Sequence, residues 1–297
     1  MLRILPGVRI VAVAAVAAVW CAAPSALTAQ LAQARGIKVF VSVDMEGLAG
    51  VVTGSDVSAA GRDYAHFRAI MAGETNAAIE GAFRAGATEV IVRDSHGLKQ
   101  NLLPGDVDPR AKLLRGQGSG PKNMMEGIDA SFDAVVFIGY HAKAGTPNAI
   151  LEHTSTGNVI DLSINGVSLP EGGYNALVAG LFNVPVVFAA GDRALVEQLR
   201  ALLGPMEGVA VKEEIGGDAS LGLSPNAAQA AIRDGVERAV RNRAARTPYR
   251  MQGPYTMTLK VRTDRTLYPG AERPRAGEAV FRHADLLQVL NAFNQMK

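Results

Sequence analysis

Lys38-Val39-Phe40-Val41-Ser42-Val43-Asp44-Met45-Glu46-Gly47 decides the reading of this chain. Val39, Phe40, Val41 and Val43 give a β-rich run with no strict alternation, the pattern of a strand buried on both sides of a parallel sheet. The run then breaks into Asp44 and Glu46, and Gly47 ends it. Two more runs have this form. Glu89-Val90-Ile91-Val92 leads into Arg93-Asp94-Ser95-His96-Gly97, and Ala134-Val135-Val136-Phe137-Ile138 leads into Gly139-Tyr140-His141. Between the first two, apolar residues from Tyr64 to Phe83 recur at helical spacing and predict a helix over Tyr64–Arg84, with Gly86 as its stop. Strand, helix and strand in alternation indicate an α/β fold, a mostly parallel central sheet flanked by helices.

Further along, Val159 to Ile164, Asn165-Gly166 and Val167 to Leu169 read as a tight hairpin. A helix over 173–182, a buried strand over 184–188 and a helix over 193–203 follow. Ser224-Pro225 has the form of an N-cap with proline at the first helical position. Tyr255 to Val261 alternates like a half-buried strand, and an amphipathic helix closes the chain from Ala284 to Met296. The segment Pro205–Gly217 suggests a soft boundary. On that reading residues 35–205 form a metal-binding catalytic domain, and 206–297 a smaller C-terminal α/β part.

The first 34 residues differ from the rest. Arg3 and Arg9 precede an apolar run from Ile10 to Ala23, and Ala32-Gln33-Ala34 offers a small-residue cleavage site. This is the three-part layout of a secretory signal, and it predicts a periplasmic or secreted product with no membrane attachment after cleavage. The run is short for a span of about 20 residues, the competing reading being an uncleaved anchor.

Composition narrows the chemistry. Lys and Arg number 30 against 28 Asp and Glu, so no basic excess points to nucleic acid. Cys21 is the only cysteine, which excludes a disulfide within the chain, a CxxC redox pair, a four-cysteine zinc site and an iron–sulfur cluster. Any bound metal must be held by nitrogen and oxygen. Arg115-Gly116-Gln117-Gly118-Ser119-Gly120 lacks the Lys-Ser/Thr of a phosphate-binding loop and reads as a flexible loop.

In an open α/β sheet, ligands bind beyond the carboxyl ends of the strands. If the three strands are parallel neighbours, Asp44, Glu46, His96 and His141 converge. Two carboxylates at i and i+2 share one face of an extended segment, and a divalent cation relieves their repulsion. Two imidazoles beside them favour zinc over calcium or magnesium. Taken singly, each group has an ordinary reading as a helix cap or a strand-end residue. His153, in a Gly- and Pro-rich segment, also reads as a surface imidazole, and Glu171 as a helix-start carboxylate. His66 and His283 read as structural or surface residues.

Four ordered fragments resemble the D-aminopeptidase family, peptidase family M55. They are Ser42-Val43-Asp44-Met45-Glu46-Gly47, Asp94-Ser95-His96, Gly139-Tyr140-His141-Ala142 and Gly172-Gly173-Tyr174-Asn175. The likeness runs from about Ile37 to the last helix. It implies a zinc aminopeptidase with two metal ions per subunit, ligated by Asp44, Glu46, His96, His141 and Glu171, with His153 as the catalytic residue. It also implies a ring-shaped homodecamer of two stacked pentamers, and short peptides with N-terminal D-residues as substrates. Another metallohydrolase of the same fold, such as an L- or mixed L,D-dipeptidase or amidase, is the first alternative. A non-catalytic periplasmic metal- or peptide-binding protein is the second.

Overall fold

The structure is a computed structural model describing residues 36–217 and 219–297. The expected secretory signal, 1–34, lies outside the described residues. Seven strands form the first sheet: β1 (Ile37–Val43), β2 (Ala87–Asp94), β3 (Lys112–Leu114), β4 (Ala134–Tyr140), β7 (Val186–Asp192), β8 (Glu207–Gly216) and β9 (Ala219–Gly222). Their order is β3-β2-β1-β4-β7-β8-β9. All neighbours are parallel except β8 and β9. The expected mostly parallel sheet is present, and the three strands singled out by their endings sit side by side at its centre.

Period-two geometry divides β1 between two cores. Val39, Val41 and Val43 point to one face, where Ile70, Ile79, Ile232 and Val236 cover them. Phe40 points to the other face, with Phe137, Leu162, Leu177 and Phe293. On the first face lie α2 (Tyr64–Arg84) and α5 (Pro225–Arg241). Their axes approach closely at Gly81, where a β-carbon would meet Arg233 O at 2.3 Å. Helix α2 has the bounds that its apolar stripe predicts, and Gly86 follows at φ +93, a conformation glycine adopts without steric cost.

The second face carries α3 (Glu171–Leu181), α4 (Arg193–Leu203), α6 (Leu286–Met296) and a five-stranded antiparallel sheet. That sheet orders β11 (Glu272–Arg275), β12 (Glu278–His283), β10 (Tyr255–Val261), β5 (Val159–Ile164) and β6 (Val167–Ser168). The β5–β6 turn places Asn165 at φ +51 and Gly166 at φ +79, the primed hairpin turn that Asn-Gly favours. Gly36–Lys297 form one compact unit. Each face draws on both sides of residue 206, because β8 and β9 extend the first sheet and β5 pairs with β10. The expected boundary near that residue thus separates strands that share sheets. Helix α3 starts two residues before the expected position, which puts Glu171 in its first turn. Strand β7 runs on to Asp192, and His283 ends β12 rather than opening α6.

Candidate metal centre

The ligand types at the ends of β1, β2 and β4 come together because the sheet ladder continues past the strands. Asp44 N–H donates to Ile138 O, Ser95 N–H to Val43 O, and Gly47 N–H to Gly139 O, each at 2.8 Å. These bonds fix Asp44, His96 and His141 relative to one another through backbone. Gly139 lies at φ +67, and a β-carbon there would meet Asp44 O at 2.2 Å, so β1 and β4 can close up only around glycine.

Two triads result. Asp44, Glu46 and His96 form one; His141, His153 and Glu171 form the other. In the first, His96 Nδ1 is 3.2 Å from Asp44 Oδ1 and 3.0 Å from Glu46 Oε2. In the second, His141 Nε2 is 3.6 Å from Glu171 Oε1, and His153 Nε2 is 3.8 Å from the same oxygen. Asp44 joins them, since its Oδ2 lies 3.6 Å from His141 Nε2. The rings of His141 and His153 stack with centroids 4.0 Å apart. All six residues expected at the site are here, whereas His66 and His283 are remote surface residues, as expected.

Backbone carbonyls set the tautomers, because a carbonyl can only accept. His96 Nε2–H donates to Val57 O at 2.9 Å, at the end of the short helix α1 (Gly54–Val57). His141 Nδ1–H donates to Ala142 O and His153 Nδ1–H to Leu151 O, both at 2.9 Å. The remaining nitrogen of each ring faces carboxylate oxygen. This is the outer-shell arrangement that orients histidines toward a metal.

Zinc suits these donors. It bonds nitrogen and oxygen at about 2.0–2.2 Å, so two tetrahedral ligands of one ion lie about 3.3 Å apart, and the donor separations here cluster around that value. His141 is wholly buried, and its Nε2 has no hydrogen-bond partner among the described residues. An orphaned buried nitrogen costs free energy unless something binds it. Without a cation, charge must gather instead. Burial opposes charge on both rings, yet the facing carboxylates outweigh it, pushing His96 up to about 11 and His141 up to about 10. Burial likewise resists ionisation of Asp44 and Glu171, and the neighbouring histidines overcome it and hold both carboxyls below their ordinary range.

Sequence reasoning missed the buried charges behind this site. Lys212, at the far side of the sheet, donates Nζ–H to Glu46 O and to Val51 O, the latter at 2.5 Å. Glu74 Oε1 accepts Ala49 N–H at 2.9 Å. Together they hold the segment that presents Asp44 and Glu46. Glu74 had a readable signal: it occupies the Ile70–Ala78 stripe at i+4, where a solvated carboxylate does not belong.

Comparisons with known proteins point to one family. The family model described as D-aminopeptidase, peptidase M55, matches residues 37–295. A D-aminopeptidase of Bacillus subtilis (strain 168) is 39% identical over 189 residues, which is 64% of this chain and 68% of that protein. The solved structure of the Zn-dependent D-aminopeptidase DppA from Bacillus subtilis, a self-compartmentalizing protease, superposes with a TM-score of 0.82 at 31% identity. The match covers 87% of this chain and 96% of that one. With two triads of metal-binding side chains gathered beyond β1, β2 and β4 and a family match over nearly all described residues, this chain belongs to peptidase family M55, the D-aminopeptidases.

Proposed function

We propose that this chain is a zinc-dependent aminopeptidase that removes N-terminal D-residues from short peptides, with two ions per subunit. Asp44, Glu46 and His96 would hold one ion, and Asp44, His141 and Glu171 the other. The observation that carries this reading is Asp44 itself: its Oδ1 faces His96 and its Oδ2 faces His141, so one carboxylate is available to both. Zinc bound there supplies Lewis acidity to the scissile carbonyl and makes water a nucleophile near neutral pH.

The chain's own residues do the rest. His153 differs from His141 in being partly open, with a side-chain exposure of 27% against 0%. Its Nδ1 proton is committed to Leu151 O, so Nε2 is free to take a proton and pass it to the leaving amine. Glu171 lies 3.8 Å from that nitrogen and stabilises the charged ring between the two transfers. In the proposed periplasmic setting, peptidoglycan fragments supply D-Ala peptides. A ring-shaped homodecamer that screens folded proteins from the site is part of the proposal, supported by the self-compartmentalizing nature of the Bacillus neighbour.

The test is a parallel assay of D-Ala and L-Ala peptides with and without chelator, alongside metal analysis of wild type and His153→Ala. The expected result is D-selective, chelator-sensitive hydrolysis and about two zinc per subunit. His153→Ala should lose about 10²–10⁴-fold in turnover while keeping its metal. Loss of half the metal in that variant would make His153 a ligand, and chelator-insensitive cleavage would end the metal reading.

A further inference from the structure

The cavity before the two triads has a wall that the metal chemistry leaves unused. It encloses about 490 Å³, within the range of small-ligand sites. Two lysines line it, Lys99 and Lys297. Lys99 sits beyond β2 at φ +62, is only 8% exposed, and donates Nζ–H to Ser95 O. Lys297 follows α6 and donates Nζ–H to Ser155 Oγ at 2.6 Å. Among the described residues neither ammonium has a carboxylate within 4.0 Å. An ammonium withdrawn from water without a counter-charge is costly. Burial accordingly lowers both groups, Lys297 to about 8.

Helix α6 is built around this wall. Val289, Leu290, Phe293 and Met296 enter the core. Asn291, Asn294 and Lys297, spaced at i, i+3 and i+6 on one face, line the cavity instead. Asn294 Nδ2–H donates to Pro121 O at 3.4 Å, which leaves its second N–H, the Asn291 amide and the Lys297 ammonium as hydrogen-bond donors to an anion. In the metal-free protein Glu171 attracts both lysines. Two divalent ions would outweigh Asp44, Glu46 and Glu171 together, so the loaded cavity is cationic and the lysines lack a partner charge.

We infer that Lys99 and Lys297 bind the C-terminal carboxylate of the peptide, so that the site reads both ends of a short substrate. The inference rests on the proposed aminopeptidase activity and names the substrate class: free-acid peptides short enough to reach from the metal centre to α6. Charge-assisted hydrogen bonds of this kind are worth about 10- to 100-fold in binding.

The experiment compares D-Ala-D-Ala with its C-terminal amide on the zinc-loaded full chain. Wild type should favour the free acid by about 10- to 100-fold in kcat/KM, expressed mainly in KM. Lys297→Met and Lys99→Met should each shrink that ratio several-fold, and Lys297→Arg should restore it. Lys297→Met carries the test alone if Lys99→Met does not fold. A wild-type ratio near one, or a ratio unchanged in the methionine variants, overturns the inference while leaving the aminopeptidase reading intact. Should neither peptide be cleaved, that reading fails, and calorimetry with the same uncleaved pair gives the Kd ratio that tests the lysines by themselves.

Discussion

Gly47→Ala isolates the backbone that aligns the two halves of the site. Gly47 packs on the end of β4, and a β-carbon there would sit 1.8 Å from Tyr140 O, 2.6 Å from Tyr140 C and 2.7 Å from Gly139 C. All three are main-chain atoms of the strand that carries His141, so no side chain can swing aside. Real β-carbon contacts do not fall below 3.0 Å. The Asp44–Gly47 segment and β4 must therefore part by more than an ångström. Metal sites tolerate errors of about 0.2 Å in ligand distance, so Asp44 could no longer serve both His96 and His141. Overpacking of this kind costs about 1–3 kcal/mol in stability, and displaced metal support costs about 10–100-fold in affinity. Zinc per subunit after dialysis, kcat and thermal melting should be measured together, with Gly54→Ala as control because no atom lies within 4 Å of its β-carbon position. A Gly47→Ala protein with full zinc and wild-type kcat would refute the alignment argument.

Two further outcomes follow from the buried charges. With His96 held protonated to about pH 11 and His141 to about pH 10 in the metal-free protein, zinc loading at pH 8 must displace both protons. Calorimetry in buffers of different ionisation enthalpy should then count close to two protons per subunit, and a count near zero would contradict the facing-carboxylate electrostatics. Glu74 is the second case, since burial pushes it up to about 7 from an ordinary 4.5. A carboxyl raised on folding contributes stability that is complete below pH 4.5 and is lost as pH rises through 7, a swing of about 3 kcal/mol. Glu74→Gln keeps an acceptor for Ala49 N–H and removes the titration, so its melting temperature should vary less between pH 4.5 and 8 than that of wild type. Parallel curves for the two proteins would exclude Glu74 as the source.

The half of the site that rides on the first sheet was legible because buried parallel strands announce themselves. β1, β2 and β4 each hold an apolar stretch (Val39–Val41, Val90–Val92 and Ala134–Ile138), and each leads to a ligand type where the chain leaves the sheet. Helices α2 and α4 were equally readable from apolar spacing. His153 and Glu171 were not, because their local sequence fits a loop and a helix start equally well, and only family likeness singled them out. β3, β8, β9, β11 and β12 escaped notice for a related reason, β8 lying in the segment read as a boundary. Lys112–Leu114 is too short to carry a pattern, and Glu272–Arg275 is three charged residues and a proline, so these strands exist only through their neighbours. Lys212 was hidden by distance: the carbonyl of Glu46 that it binds lies 166 residues away in sequence.

These two origins give the two triads different supports. Asp44 and His96 hang from ladder hydrogen bonds between strands about 4.8 Å apart, with Lys212 and Glu74 bracing the loop beneath them. Glu171 comes from the opposite layer, on the first turn of α3, with Pro170 before it. There the helix N-terminus favours a negative charge, and Ser155 N–H adds a hydrogen bond to Oε1 at 2.5 Å. Burial alone would favour its protonated form. The facing His141 and His153 overcome that, and the helix end and the Ser155 amide act in the same direction, so Glu171 meets a cation already ionised. The second triad thus depends on α3 staying docked against β4, while the first rests on the sheet and its own covering helices α1 and α2. Loosening the seat of α3 on its other neighbour α4, through a Gly173→Ala β-carbon that would meet Leu202 at 2.9 Å, should weaken the His141–Glu171 ion site before the Glu46–His96 site.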